Sequence, residues 1–204
     1  MHFQVYPDAS LGNIEYNSET KSVMGSLICL SNKTLDVCPL SWKSKIIEKV
    51  AEDIKSAETL ALESAVDDTV YLASMFSEIY TGNSDKKLPI VINEDSKGLV
   101  ESLYSTKKVK RKTMWVVISS IQKYIKSGII NDVNHMASKD QLGDIFTKKG
   151  VCNEKIIRTV SEGRLDFPEE KQSKWGKLPL YPFQERRLMD SNENDQNSKV
   201  EGIW

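Results

Sequence analysis

The chain changes its hydrophobic period once, early and decisively, and that change limits what it can fold into. Residues 3–6, 22–30 and 38–45 are apolar runs separated by polar Asn, Gly and Ser, and the first of them alternates as a half-buried strand does. From residue 47 to 79 the apolar positions instead recur every three or four residues, through Ile47, Ala51, Ile54, Ala61, Ala65, Leu72, Phe76 and Ile79. This spacing predicts a meander of three antiparallel strands followed by one long helix. A short apolar run at 88–93, introduced by Pro89 and closed by acids, then reads as a strand returning parallel to the first. Residues 99–104 and 114–125 resume helical spacing, Gly128 stands where a helix stops, 129–136 form a last strand, and 141–148 begin another helix. There is no internal repeat.

A chain of 204 residues accommodates one ordinary domain with some additional sequence. Three regions are expected: a domain over 1–150, a helical extension over 151–165, and a mostly disordered tail over 166–204. The tail is rich in Pro, Glu, Lys, Ser, Asn and Gln and lacks a periodic apolar face, so it cannot offset the entropy of its own ordering. Trp175, Leu178, Leu180, Tyr181 and Phe183 are the one apolar cluster in it. Lys and Arg total 28 against 29 Asp and Glu, so any surface for a polyanion has to be local. No run approaches the roughly 20 apolar residues of a membrane span. The three cysteines, Cys29, Cys38 and Cys152, follow no metal-ligand spacing, and nothing near Met1 resembles a signal peptide. An intracellular setting is expected, cytoplasmic or nuclear, without a membrane partner.

Four carboxylates stand out by position. Glu58 lies on the helical stripe of Ile54, Ala61 and Ala65, where an ionised group needs a proton, a cation or a metal. Read alone, a Glu at the edge of a helix stripe is usually a solvated neighbour of the core. Asp8 shares a strand face with Gln4 and Tyr6, Asp95 ends the 90–93 run, and Asp144 falls in the first turn of the last expected helix, where a favourable charge on the helix dipole would explain it. Taken singly, Asp8 and Asp95 read as turn residues.

Several local matches, in order, give these acids more weight. Val5-Tyr6-Pro7-Asp8-Ala9-Ser10 resembles a Thr-Asp-Ala-Ser strand, and Cys38-Pro39-Leu40-Ser41-Trp42-Lys43-Ser44-Lys45 a Trp-x-Ser-Lys strand. Ala57-Glu58-Thr59-Leu60-Ala61-Leu62 matches an Ala-Glu-Thr-Leu-Ala-Leu helix, and Asp95-Ser96-Lys97-Gly98-Leu99, followed by Ser105-Thr106-Lys107-Lys108, is similar to an Asp-Ser-Lys-Ser-Leu turn and its sequel. Gln141-Leu142-Gly143-Asp144-Ile145-Phe146-Thr147-Lys148-Lys149-Gly150 resembles a Gln-Leu-Ala-Asp-x-Leu-Thr-Lys-Lys-Gly closing helix. Over about residues 3 to 150 the chain thus resembles the ribonuclease H domain of a copia-type LTR retrotransposon Pol polyprotein. The resemblance implies an α/β fold with a mixed five-stranded sheet flanked by helices. It also implies a metal-dependent endoribonuclease that hydrolyses the RNA strand of RNA–DNA hybrids, with Asp8, Glu58, Asp95 and Asp144 as catalytic residues holding two Mg²⁺ ions. Mn²⁺ can substitute, and the hybrid and a reverse transcriptase domain of the same element are the implied partners.

Departures from the pattern support a second reading, a decayed or domesticated domain that binds nucleic acid or protein without cutting. Pro7 replaces Thr or Ser in an expected central strand, where proline cannot donate a ladder bond. Val23 and Met24 stand in place of Gln-Gly, Asp53-Ile54 in place of Ser-Thr, and Glu94 in place of Thr, and both Asp53 and Glu94 add like charge near the acids. No reverse-transcriptase portion precedes the first strand, which reads as a fragment, a processed product or a shortened gene. Lys107, Lys108, Lys110, Arg111 and Lys112 form the one dense basic run, either a grip on phosphates or a solvated helix start, and its place beside the third acid favours the grip. His135 reads as a structural residue at a strand end.

Overall fold

A computed structural model describes residues 1–16, 19–32, 34, 36–83, 87–106, 111–150 and 154–165. Lys107, Lys108, Lys110, Cys152 and the 166–204 segment, with its Trp175 to Phe183 cluster, lie outside the described residues.

Three strands, β1 (His2–Tyr16), β2 (Glu19–Ser31) and β3 (Val37–Ile46), form the expected antiparallel meander. Helix α1 (Ile54–Thr81) follows, then β4 (Ile90–Glu94), α2 (Lys97–Tyr104), α3 (Lys112–Lys126) and β5 (Asp132–His135). β4 lies parallel to β1, with Phe3 opposite Ile90 and Val5 opposite Ile92, and β5 lies parallel to β4, so the sheet order is β3-β2-β1-β4-β5. Among the described residues, no helix is long and apolar enough to cross a membrane.

Strand parity divides the sheet into two faces. Phe3 and Val5, with Ile28, Ile90 and Ile92, pack against Leu62, Ala65, Leu99, Ile118 and Ile121 of the helices, while Ala9 meets Ala57, Leu60 and Ala61. The alternate residues of β1, Gln4, Tyr6 and Asp8, therefore face the other way, as the alternation predicts.

The structure departs from sequence expectation in three places, each for a physical reason. First, α1 begins at Ile54, not near Ile47. Asp53 has extended backbone and caps the helix, its Oδ1 accepting from Ser56 N at 2.7 Å, and Arg111 ties Glu52 (2.9 Å) and Asp53 (3.1 Å) to the start of α3. Ile54 and Ile79 consequently stand exposed at the two ends of the stripe.

Second, Pro7 does not interrupt β1. The Phe3 N–H points toward β4, bonding Pro89 O at 2.7 Å, so by alternation the nitrogen of Pro7 faces the same side. The parallel ladder has already ended at Val5 and Ile92, and the missing N–H costs no rung. Third, residues 141–148 are not an α-helix. Two short 3₁₀ turns, Ser138–Asp140 and Leu142–Phe146, occupy the stretch, and the last helix, α4, comes later, at Glu154–Glu162. The Leu142–Phe146 turn lies flat on the sheet face opposite the helices. At Gly143 a Cβ would stand 2.8 Å from Tyr6 O and 2.9 Å from Asp8 Cβ, and at Gly25 it would stand 2.6 Å from Phe146 Cβ. Side chains at these two positions would lift the turn off the strands.

Candidate metal centre

β1 and β4 diverge beyond Val5 and Ile92, and the gap between them is closed by one side chain. The Gln141 amide donates from Nε2 to Pro7 O at 2.8 Å and to Asn93 O at 3.3 Å, and its Oε1 accepts from Gly143 N at 3.2 Å. Three polar side chains of the meander hold the other end of the turn. Ser10 Oγ and Asn13 Nδ2 donate to Thr147 O at 2.9 and 2.7 Å, and Ser44 Oγ donates to Phe146 O at 2.6 Å. Behind the turn, Lys155 of α4 pairs with the buried carboxylate of Asp140.

This docking brings Asp144 over the end of the sheet. Asp8 of β1, Asp95 one residue beyond β4, and Asp144 each offer a carboxylate oxygen, and the three oxygens lie within 4.8 Å of one another. Thr147 Oγ1 donates to Asp8 Oδ2, and Lys148 Nζ sits 2.6 Å from Asp144 Oδ1. Burial pushes the Asp8 carboxyl up to about 7; the Thr147 hydroxyl and the Lys148 ammonium oppose this, whereas Asp144 and Asp95 reinforce it. Burial pulls on the Lys148 ammonium in the opposite sense, yet its bond to Asp144 and the charges of Asp8, Asp144 and Asp95 prevail and raise it.

The fourth acid, Glu58, approaches from the helix side. It is half-buried on α1, takes a hydrogen bond from the Ser96 side chain and feels Asp95, but it is not one of the three mutually close carboxylates. Burial raises its carboxyl, with Ser96 opposing and Asp95 adding to the rise. Glu94 lies still deeper. It has the parity of Ile90 and Ile92, so it points into the helix face at 1% exposure, accepting from Ser96 N at 3.2 Å. Burial holds it well above the usual carboxylate range, and Glu58, Asp95 and Asp8 add to the shift. Sequence reading noted Glu94 only as added charge; strand alternation was the signal that it would be buried.

The donor set suits a divalent cation. Hard carboxylate oxygens converge where burial already raises the Asp8 carboxyl and Asp144 and Asp95 add to the rise, and Lys148 is the ammonium bonded to the cluster among the described residues, so a divalent cation would supply the charge such a set favours. Of the basic run, Arg111 is committed to Glu52, Asp53 and Ser56, and Lys112 is exposed at the first turn of α3. The ring of His135, at the end of β5, lies 3.1 Å from Asp95 O; a carbonyl only accepts, so Nε2 carries the proton. The residue braces the loop that carries the third acid.

No family model matches the chain, nor does any curated protein match it significantly. Solved structures do. LC11-RNase H1, isolated from compost by a metagenomic approach and solved in complex with an RNA/DNA hybrid, superposes with a TM-score of 0.52 at 19% identity, covering 71% of this chain and 93% of that one. RNase H1 from the halophilic archaeon Halobacterium salinarum NRC-1 gives a TM-score of 0.50 at 12% identity, covering 72% and 95%. A mixed five-stranded sheet in the order 3-2-1-4-5 with four helices, shared with these proteins along nearly their whole length, is the ribonuclease H fold.

Proposed function

We propose that the chain is a ribonuclease H that hydrolyses the RNA strand of RNA–DNA hybrids with two Mg²⁺ ions, and that it derives from the Pol polyprotein of a copia-type retrotransposon. The observation that carries the reading is the convergence of Asp8, Asp95 and Asp144 at one end of a sheet whose fold is shared with LC11-RNase H1, a protein solved with such a hybrid. Asp8, Asp95, Asp144 and Glu58 are the residues that would hold the ions. When bound, divalent ions activate water, act as Lewis acids on the phosphodiester and stabilise the leaving oxygen.

The remaining tasks belong to the chain's own groups. Thr147 fixes one oxygen of Asp8, Ser96 orients Glu58, and Gln141 ties together the diverging strand ends from which Asp8 and Asp95 project. No side-chain nucleophile is required. Lys107, Lys108, Lys110 and Lys112 would grip phosphates without reading sequence, and Arg111 would shape that surface by anchoring α3 to α1. The domain division at 1–150, 151–165 and 166–204 belongs to the same proposal. The alternative, a domain that binds without cutting, draws its support from Glu94, whose ionisation would set one more negative charge against Glu58, Asp95 and Asp8.

The test is cleavage of a labelled RNA–DNA hybrid by the full chain in Mg²⁺, in Mn²⁺ and in EDTA. Metal-dependent loss of the RNA strand alone is expected. A folded protein that binds the hybrid and leaves it intact in both metals would establish the alternative.

A further inference from the structure

Given the reading of Asp8, Asp95 and Asp144 as a divalent-metal site, we infer that Lys148 is a built-in counter-ion of the triad, which an incoming cation must displace from Asp144 in order to bind. The placement is local and specific. Backbone N–H groups of Thr147 and Lys148 both bond Asp144 O, at 3.1 and 3.0 Å, so the chain folds tightly back over its own turn. Two successive side chains thereby hand one donor each to two of the three acids, Thr147 to Asp8 and Lys148 to Asp144.

Thr147 and Lys148 differ in what they can give up. The Thr147 hydroxyl is neutral and buried, and it bonds an oxygen that keeps a second lone pair for a metal. The Lys148 ammonium is a full charge 2.6 Å from Asp144 Oδ1, and a metal ion at that carboxylate would meet it as a like charge. The side chain of Lys148 is 39% exposed while that of Asp144 is 18% exposed. Lys148 stands at the rim, with water to move into, and surrenders an ion pair of modest strength on leaving. The metal-free centre is thus held together by a residue that also lowers its affinity for the ion.

Isothermal titration of Mg²⁺ into the metal-free full chain tests this, with Lys148→Met, Lys148→Gln and Lys148→Arg beside the parent. Removing the charge should tighten Mg²⁺ binding about tenfold, by Coulomb's law at the effective dielectric of a protein rim discounted for exposure. Lys148→Arg should stay near the parent. The melting midpoint in EDTA should fall for Lys148→Met while the midpoint in saturating Mg²⁺ does not, because tighter binding compensates the lost ion pair. If Lys148→Met fails to fold in EDTA, Lys148→Gln, which keeps a donor to Asp144, decides. Binding by the parent with no gain in folded Met or Gln variants would overturn the role of Lys148 and leave the metal site standing. Absence of Mg²⁺ binding in parent and variants alike would overturn both.

Discussion

Replacing Gln141 with Met removes the clamp between β1 and β4 while keeping side-chain length, so little cavity is opened. The cost follows from what is left behind. Pro7 O loses a 2.8 Å partner, Asn93 O a longer one at 3.3 Å, and Gly143 N its 3.2 Å acceptor, all at a site where Gln141 itself is 1% exposed. An unsatisfied buried group costs about 1–3 kcal/mol; with the short bond counted in full and the two long ones at the low end, the loss is about 3–5 kcal/mol. That is a large part of the total stability of a domain this size, about 5–15 kcal/mol. Urea unfolding in EDTA measures it, as a shift in midpoint without a change in slope. Gln141→Glu is the companion variant. Ionised, it can still accept from Gly143 N but offers no donor to the two carbonyls, whereas protonated it keeps one O–H donor, so it should lose nearly as much at high pH and less at low pH. A loss under about 1 kcal/mol for Gln141→Met would show that the strand ends are tied by something other than this amide.

Three further outcomes are expected. Asp95→Asn should abolish hybrid cleavage while leaving hybrid affinity in EDTA level, since the lost charge belongs to the reacting end of the site; cleavage at the parent's rate would remove Asp95 from the metal ligands. For Glu94, the folded-state carboxyl is raised, so its contribution to stability is present below the unfolded value of about 4.3 and is lost as pH rises toward the folded value. Glu94→Gln should therefore flatten, though not abolish, the decline of the urea midpoint with rising pH in EDTA, because Asp8 contributes with the same sign up to about 7; an unchanged slope would mean that Glu94 is not buried as a neutral acid. Finally, Lys108→Ala, Lys110→Ala and Lys112→Ala together should weaken hybrid binding most at low salt, lowering the log–log salt slope by up to about 0.9 per lost phosphate contact if the duplex DNA value carries over to hybrids. Arg111→Ala should instead lower the melting temperature, because Arg111 already joins α1 to α3. Equal effects on binding from both would refute that division.

Much of this fold is written in local periodicity. Alternation at 3–6 gave the parity that sets Asp8 opposite the helix face, and the stripe through Ala61 and Ala65 gave α1, because burial on one side of a regular element repeats at the element's own period. The 141–148 stretch misled for the complementary reason. Its apolar and acidic spacing suits a helix, but Gly143 and Gly25 let it press against the sheet as a 3₁₀ turn, a tertiary preference invisible to propensity. Glu58 was legible as inward-tending and Asp8, Asp95 and Asp144 as a set only through the family resemblance, since each alone has an ordinary explanation. The parts played by Gln141 and Thr147 were not legible, because their partners lie 134 and 139 residues away and such bonds leave no mark on composition. Lys148 stands four residues after Asp144, a spacing that reads as an ordinary helix-surface pair until the turn carries both to the acid cluster.

The closing turn adds no strand to the sheet. It is attached by side chains of Ser10, Asn13, Ser44 and Gln141 to or from main-chain oxygens, across sequence separations of 137, 134, 102 and 134 residues. Every rung of the five-stranded ladder is supplied by residues up to His135, so the scaffold is complete before the chain reaches Asp144. The third acid therefore rides on a segment held to the sheet by side-chain hydrogen bonds and by no ladder rung, whereas Asp8 lies within a ladder strand and Asp95 one residue beyond another. Loss of those few bonds would free Asp144 from Asp8 and Asp95 without breaking a rung of the sheet, so the geometry of the acid cluster can fail while the architecture stands.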